Sequence, residues 1–194
     1  NTITLSFDEA LNASAVPAMT AFTIEVGGMA RTVTNVAIDG QNLVLTYSGS
    51  PASSSDKVEV NYTKPETGNV LENMSESEVT DTNYIRGADG DETLVGNADQ
   101  VDIFVSSEIA DGNDTISNFN ISEGDLLDLS DLLAYSEDDT LANYLTVTDG
   151  GSGGDVTIGV DADGTGGADI TLTLSAIGTG SLVLADLEAS LVVI

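Results

Sequence analysis

Cysteine and histidine are both absent from this 194-residue chain. The first absence excludes disulfides and thiolate metal sites. The second removes the usual zinc ligand and the commonest general base. Tryptophan is missing too, and aromatics make up 5% of the residues, so a core has to be built mainly from Val, Ile, Leu and Ala. Basic residues are nearly missing: 4 Lys and Arg stand against 33 Asp and Glu, a net charge of −29. Such a field repels nucleic acid and anionic membrane surfaces. It also opposes compaction, because so few cations can pair the acids. Bound divalent cations would each remove two units of that repulsion; a merely solvated acidic surface is the plain alternative, and the one expected for the first half. No apolar run is long enough to span a bilayer, and no basic segment leads into an apolar one at the N-terminus.

What is present supports a folded chain. The hydrophobic fraction is 41%, enough for one large domain or two small ones. Up to about residue 83 the pattern is of strands. Ile3, Leu5 and Phe7 alternate with polar residues, as do Phe22, Ile24 and Val26 before the Gly27-Gly28 turn. Val33, Val36 and Ile38 follow, interrupted by Asn35. Asp39-Gly40 is a hairpin signal, with Leu43, Leu45 and Tyr47 on the returning strand. A polar loop from Ser48 to Ser55 leads to Val58, Val60 and Tyr62. Short strands at this spacing predict an antiparallel, immunoglobulin-like β-sandwich. The chain opens inside a strand, so it is expected to be a fragment or a processed product with an open sheet edge.

From about Tyr84 the composition changes. Arg86 is the one basic residue after Lys64, and Asp-Gly and Gly-Asn turns alternate with short apolar runs. Gly87-Ala88-Asp89-Gly90-Asp91-Glu92-Thr93-Leu94-Val95 fits the calcium-binding nonapeptide Gly-Gly-x-Gly-x-Asp-x-apolar-x, with Ala at the second position and Glu at the sixth. Glycines let the backbone turn tightly, the carboxylate supplies charge, and the apolar residue faces a core. Such a turn suits a hard cation that prefers oxygen ligands. The segment from Gly96 to Val105, with Asn97, Asp99 and Asp102, reads as a second turn carrying one extra residue. Glu92 and Asp102 then hold the sixth positions, Leu94 and Phe104 point inward, and one Ca2+ is expected between the two turns. An ordinary Asp/Gly turn cluster is the rival reading. The repeat count is too low for a long parallel β-roll.

Asp111, Asn113 and Asp114 form the next candidate, in a Gly-Asn-Asp step that restores the Asp. Asp125 and Asp128 admit two readings, metal ligation or helix capping. Asp161, Asp163 and Asp169 fall at places one, three and nine of an EF-hand-like loop with Gly166 at six, but Leu172 stands where a bidentate Glu belongs. A hairpin loop with a weak cation site and a plain Gly-rich loop both remain open there. Short helices are expected at Leu126–Leu133 and Leu141–Leu145, and strands at Ile103–Val105, at Ile116 and Phe119, at Val156–Val160 and at Ile170–Leu174.

Two resemblances sharpen these expectations. Residues 1–83 resemble the SwmB-type repeat of bacterial surface and adhesin proteins. The matching stretches are Thr4-Leu5-Ser6-Phe7-Asp8-Glu9-Ala10-Leu11, Pro17, Ala21-Phe22-Thr23-Ile24, Leu43-Val44-Leu45-Thr46-Tyr47 and Asp56 to Thr63, with Glu76-Ser77-Glu78 replacing the usual Gly-Asn turn. Residues 84–194 resemble the C-terminal target domain of RTX adhesins exported by type I secretion, through Asp114-Thr115-Ile116-Ser117-Asn118-Phe119, Glu123 to Leu133, Asn143 to Val147 and Asp161-Ala162-Asp163-Gly164. The expected fold class is all-β: an immunoglobulin-like β-sandwich at 1–83, then a calcium-binding, β-roll-like or β-sandwich domain with one or two short helices at 84–194. The resemblance implies Ca2+ as cofactor, with Gly87 among the ligands. It also implies a type I secretion transporter as partner during export, a secreted or cell-surface location, and neighbouring repeats, a second copy or a surface ligand as later partners.

Under that reading the tail from Leu182 to Ile194 serves as an export signal; a final element closing the core is the alternative. A self-assembling subunit of an extracellular filament with calcium-bridged faces is the rival function, and a sugar- or peptide-binding module a third. No enzyme is expected: a Ser or Asp nucleophile would lack a base, and among 33 acids a suitable-looking carboxylate pair means nothing.

Overall fold

The computed structural model describes residues 1–7, 9–75, 79–136 and 138–193. Asp8 of the first motif, the Glu76-Ser77-Glu78 turn and Ile194 of the tail lie outside the described residues. The chain divides into two compact units, Asn1–Asn83 and Tyr84–Ile194.

The first unit holds β1 (Thr2–Ser6), β2 (Phe22–Val26), β3 (Met29–Arg31), β4 (Val33–Asp39), β5 (Asn42–Tyr47) and β6 (Val58–Tyr62). One sheet has the order β1-β5-β4, and in the other β6, β2 and β3 lie side by side. All these pairs are antiparallel. Period-two patterning decides which side chains go inward: Phe22, Ile24 and Val26 are buried while Thr23 and Glu25 are exposed. Leu43, Leu45 and Tyr47 do the same on β5. Asp39 pairs with Asn42 across the Gly40-Gln41 turn, which makes β4 and β5 the hairpin that Asp39-Gly40 predicts. Asn35 interrupts the alternation because the register shifts there, between Val33 and Asn35. The Tyr62 ring packs on Phe22 with centroids 5.2 Å apart, and its hydroxyl accepts the Leu71 amide at 2.8 Å.

The second unit is built from β7 (Thr82–Arg86, which enters it at Tyr84), β8 (Thr93–Val95), β9 (Val101–Val105), β10 (Thr115–Ser117), β11 (Leu126–Asp128), β12 (Leu145–Asp149), β13 (Val156–Val160), β14 (Ile170–Leu174), α1 (Leu184–Leu187) and β15 (Leu191–Val192). One sheet runs β12-β13-β14-β10-β8; in the other β15, β11, β9 and β7 are neighbours in that order. From β7 to β11 successive strands therefore alternate between the sheets. The pairs β8–β10, β9–β11, β10–β14 and β11–β15 are parallel. That winding is a short β-roll. β12, β13 and β14 continue it as an antiparallel meander.

One apolar residue per strand fills the roll: Ile85, Leu94, Phe104, Ile116 and Leu127 are all buried, and Phe119 joins them from just beyond β10. Leu94 and Phe104 thus point inward, as the nonapeptide pattern requires. Val156, Ile158, Val160, Ile170, Leu172 and Leu174 complete the same core from the meander. Full burial of each such side chain contributes about 1.5–3 kcal/mol.

Two expected helices are corrected. Leu126–Asp128 is strand β11, because it pairs in parallel with β9 and β15; a turn follows it. Only Leu141–Asn143 makes a single 3-10 turn, and Leu145 begins β12. Sheet partners outweigh the modest helix preference of Leu at both places. The tail closes the core with α1 and β15, burying Leu182 and Leu187.

Candidate metal centre

The roll places its turns on two edges. Residues 87–92 and 106–114 cross from the sheet of β7 and β9 to that of β8 and β10; residues 96–100 and 118–125 cross back. Ligands on one edge are therefore two turns apart in sequence. This corrects the expected pairing of Glu92 with Asp102. Glu92 meets Asp114, whose Oδ1 accepts the Glu92 amide at 2.9 Å. Asp102 meets Asp125, whose Oδ1 accepts the Asp102 amide at 2.9 Å.

On the first edge the backbones interlock. Gly90 donates to the Ala110 carbonyl at 2.9 Å and Thr115 to the Glu92 carbonyl at 2.8 Å. Gly112 makes this approach possible. Its φ is +86°, and a Cβ there would lie 2.5 Å from the Gly90 carbonyl oxygen. Asp91 Oδ1 accepts the Asn113 amide at 2.8 Å, and Asn113 Oδ1 accepts the Thr171 amide at 2.7 Å. Beside Gly87 a small space remains, where a Cβ would sit 3.0 Å from Glu92 Oε2 and 3.2 Å from Asp114 Oδ2. Glu92 Oε2 is buried and has no hydrogen-bond partner among the described residues. Asp114 is 2% exposed. Burial pushes its carboxyl up to about 6, against the lowering pull of the Glu92 amide, and the negative charges of Glu92, Asp111 and Asp91 push the same way. Two carboxylates thus face one buried space lined by glycine, with an orphaned oxygen. A hard divalent cation fits that donor set.

The second edge repeats the pairing of two acids across turns, with backbone amides on both oxygens of Asp125. Asp102 and Asp125 are both 0% exposed. Asp102 Oδ2 accepts the Asn97 amide at 2.7 Å, and Asp125 Oδ2 accepts the Asn120 amide at 2.8 Å. Burial raises the Asp125 carboxyl although the Asp102 and Asn120 amides pull it down. Asn97 and Asp99 are exposed at the rim, Asp99 with φ +61°. Asp125 therefore ties Asp102 to the 120–125 turn on this edge and does not start a helix. Its signal was available: Asp125 follows Asp102 by nearly the interval that separates Asp114 from Glu92. Asp128 closes a local turn instead, accepting the Ser130 amide at 3.0 Å.

The other predicted residues go elsewhere. Asp111, 1% exposed, has Oδ1 3.1 Å from Arg86 Nη2 and Oδ2 bonded to the Ser107 amide at 2.8 Å. Asp89 and Glu108 have carboxylate oxygens within 4.8 Å of it. In the loop between β13 and β14 the acids hold their own backbone: Asp161 accepts Gly164 and Gly166 amides at 3.0 and 2.5 Å, Asp163 the Thr165 amide at 3.0 Å, and Asp169 the Ala162 amide at 2.9 Å. That loop is a hairpin connection and no EF-hand, since antiparallel strands flank it.

One acid went unnoticed in the sequence. Asp149, at the end of β12, accepts amides from Gly151, Thr179, Gly180 and Leu182 at 2.8–3.1 Å. These bonds hold its carboxyl down at about 2, against a smaller raising effect of burial. Three of its four partners are 30 or more positions distant, so no local pattern marks its reach.

Residues 1–67 match the family described as a putative flagellar system-associated repeat. That is the SwmB-type repeat the strand motifs resemble, and it covers the sandwich strands of the first unit. It is a repeat family rather than an enzyme family. A comparison with curated proteins found no match. Among solved structures, the chain is similar to the AlgE6R3 subunit from the Azotobacter vinelandii mannuronan C5-epimerase, at 21% identity over 57% of this chain and 72% of that one. The TM-score is 0.27, and a likeness that slight carries no argument about fold or function.

Proposed function

We propose that this chain is an extracellular surface module whose second unit is stabilised in its folded form by binding calcium. The observation that carries the reading is the pair of roll edges, above all the buried, partnerless Glu92 Oε2 opposite Asp114. Residues 84–194 hold 22 acidic side chains and one basic one. Without metal, their repulsion and the buried carboxylates oppose the roll. With calcium, Glu92, Asp91 and Asp114 on one edge, and Asp102 and Asp125 on the other, supply charge to a bound ion. Binding to the folded state alone then stabilises it. Asn97 and Asp99 would complete the second edge from its rim.

Such a chain opens more readily where calcium is scarce and is held shut where calcium is millimolar. That behaviour suits passage through a type I secretion transporter followed by display at a cell surface, in an adhesin. The test is a thermal melt of the whole chain with calcium and with chelator. Each occupied site adds about 2.7 kcal/mol when free calcium is ~100-fold above its Kd, so the second unit should melt several degrees higher with calcium and return on chelation. An unchanged melt rejects the reading. A self-assembling filament subunit is favoured by one feature: β1 ends its sheet with half-buried Ile3 and Leu5. Sizing the chain with and without calcium decides it, since a lone module stays monomeric.

A further inference from the structure

The third acidic group of the roll differs from the other two. Asp89, Glu108 and Asp111 bring oxygens within 4.8 Å of one another, yet a cation is already seated there. Arg86 Nη2 lies 3.1 Å from both Glu108 Oε1 and Asp111 Oδ1, and Arg86 Nε donates to Ser107 Oγ at 3.2 Å. Asp111 is almost wholly buried, and both its oxygens are engaged, one by the guanidinium and the other by the Ser107 and Glu108 amides at 2.8 and 3.2 Å. Arg86 is also the single basic side chain among the 22 acids of this unit. A guanidinium offers fixed, fork-shaped donors and a permanent charge. A buried Asp left without it would keep an uncompensated charge.

We infer that Arg86 is a resident counter-ion that takes a metal's place at this position: it holds the end of β7 to the turn after β9 before any calcium arrives, and the Asp89–Glu108–Asp111 group binds no calcium. The roll then begins with one coil stapled internally, and only the Glu92–Asp114 and Asp102–Asp125 edges wait for ions.

Two experiments on the full chain test this. In chelator, amide hydrogen exchange is followed at Ser107 and Glu108, which donate to Asp111. R86Q, which keeps length but not charge, should lose protection there by about tenfold or more. R86K, which keeps the charge, should recover much of it. Equal loss in both variants, or loss in neither, overturns the inference. This arm needs no calcium, so its failure is separate from failure of the calcium reading. Should R86Q not fold, calorimetric titration with calcium alone still decides, using E108Q at an exposed position. E108Q should bind as many ions as the parent chain; one ion fewer would make the group a native calcium site and overturn the inference.

Discussion

Asp114 and Glu92 show how much a single position can decide. With its folded carboxyl raised to about 6 from an ordinary 3.8, Asp114 keeps a proton in the folded chain that the unfolded chain has lost. Between about pH 4 and pH 6 the folded state therefore binds more protons, and stability falls as pH rises through that window. Asp125, also raised, acts with the same sign. In chelator, then, the second unit should melt higher at pH 5 than at pH 7, and saturating calcium should flatten or reverse that trend; circular dichroism melts at both pH values check it. Asp149 does not disturb this window: with its carboxyl held at about 2, its contribution is in place above about pH 4 and is lost only as pH falls through 2. Glu92→Gln makes a sharper case. It removes a like charge that faces the buried Asp114, so the metal-free chain should gain stability at neutral pH. The same change should remove most of one site's worth of calcium stabilisation. Denaturant melts in chelator and in calcium would show the two opposite effects side by side.

Turns and strands explain what local patterns conveyed and what they hid. Gly87 to Val95 reads as a nonapeptide because each position does a local job: a turn, a carboxylate, an inward Leu94. Which turn faces it is not local. Alternation between two sheets sends the chain across and back, so the partner of Glu92 is Asp114 on the third turn rather than Asp102 on the second. The same alternation explains Leu126–Leu133, where apolar residues with helical promise are taken by β9 and β15 as sheet partners. Asp149 is the element-scale counterpart of a metal: one carboxylate gathers the 178–182 segment onto the end of β12 through backbone amides. Asp149→Ala should speed amide exchange at Gly180 and Leu182 and lower the melting point of the second unit, with calcium or without it. A loss that calcium fully repairs would contradict this assignment.

On the scale of the whole molecule, charge is distributed unevenly. The first 83 residues carry 11 acidic and three basic side chains, the remaining 111 carry 22 and one. The first unit buries an ordinary sandwich core, and its exposed acids are free to be solvated. The second buries Asp102, Asp111, Asp114, Asp125 and Asp161. Buried carboxylates are costly unless something pairs them; Arg86 lies against Asp111. Scanning calorimetry of the intact chain should therefore resolve two transitions. Calcium should move the one belonging to residues 84–194 by several degrees and leave the other within about a degree.

Composition and spacing alone determined the all-β class, the inward faces of the sandwich strands, the Asp39-Gly40 hairpin, and the presence of turns suited to an oxygen-seeking cation. Each of these depends on neighbours a few residues apart, where backbone geometry translates pattern into direction. Tertiary structure decided the rest: which carboxylates share an edge, that Asp111 belongs to Arg86, and that Asp149 anchors a distant segment. Those pairings arise from strands stacked 20 or so residues apart, and an acidic chain offers too many equivalent partners for sequence distance to choose among them.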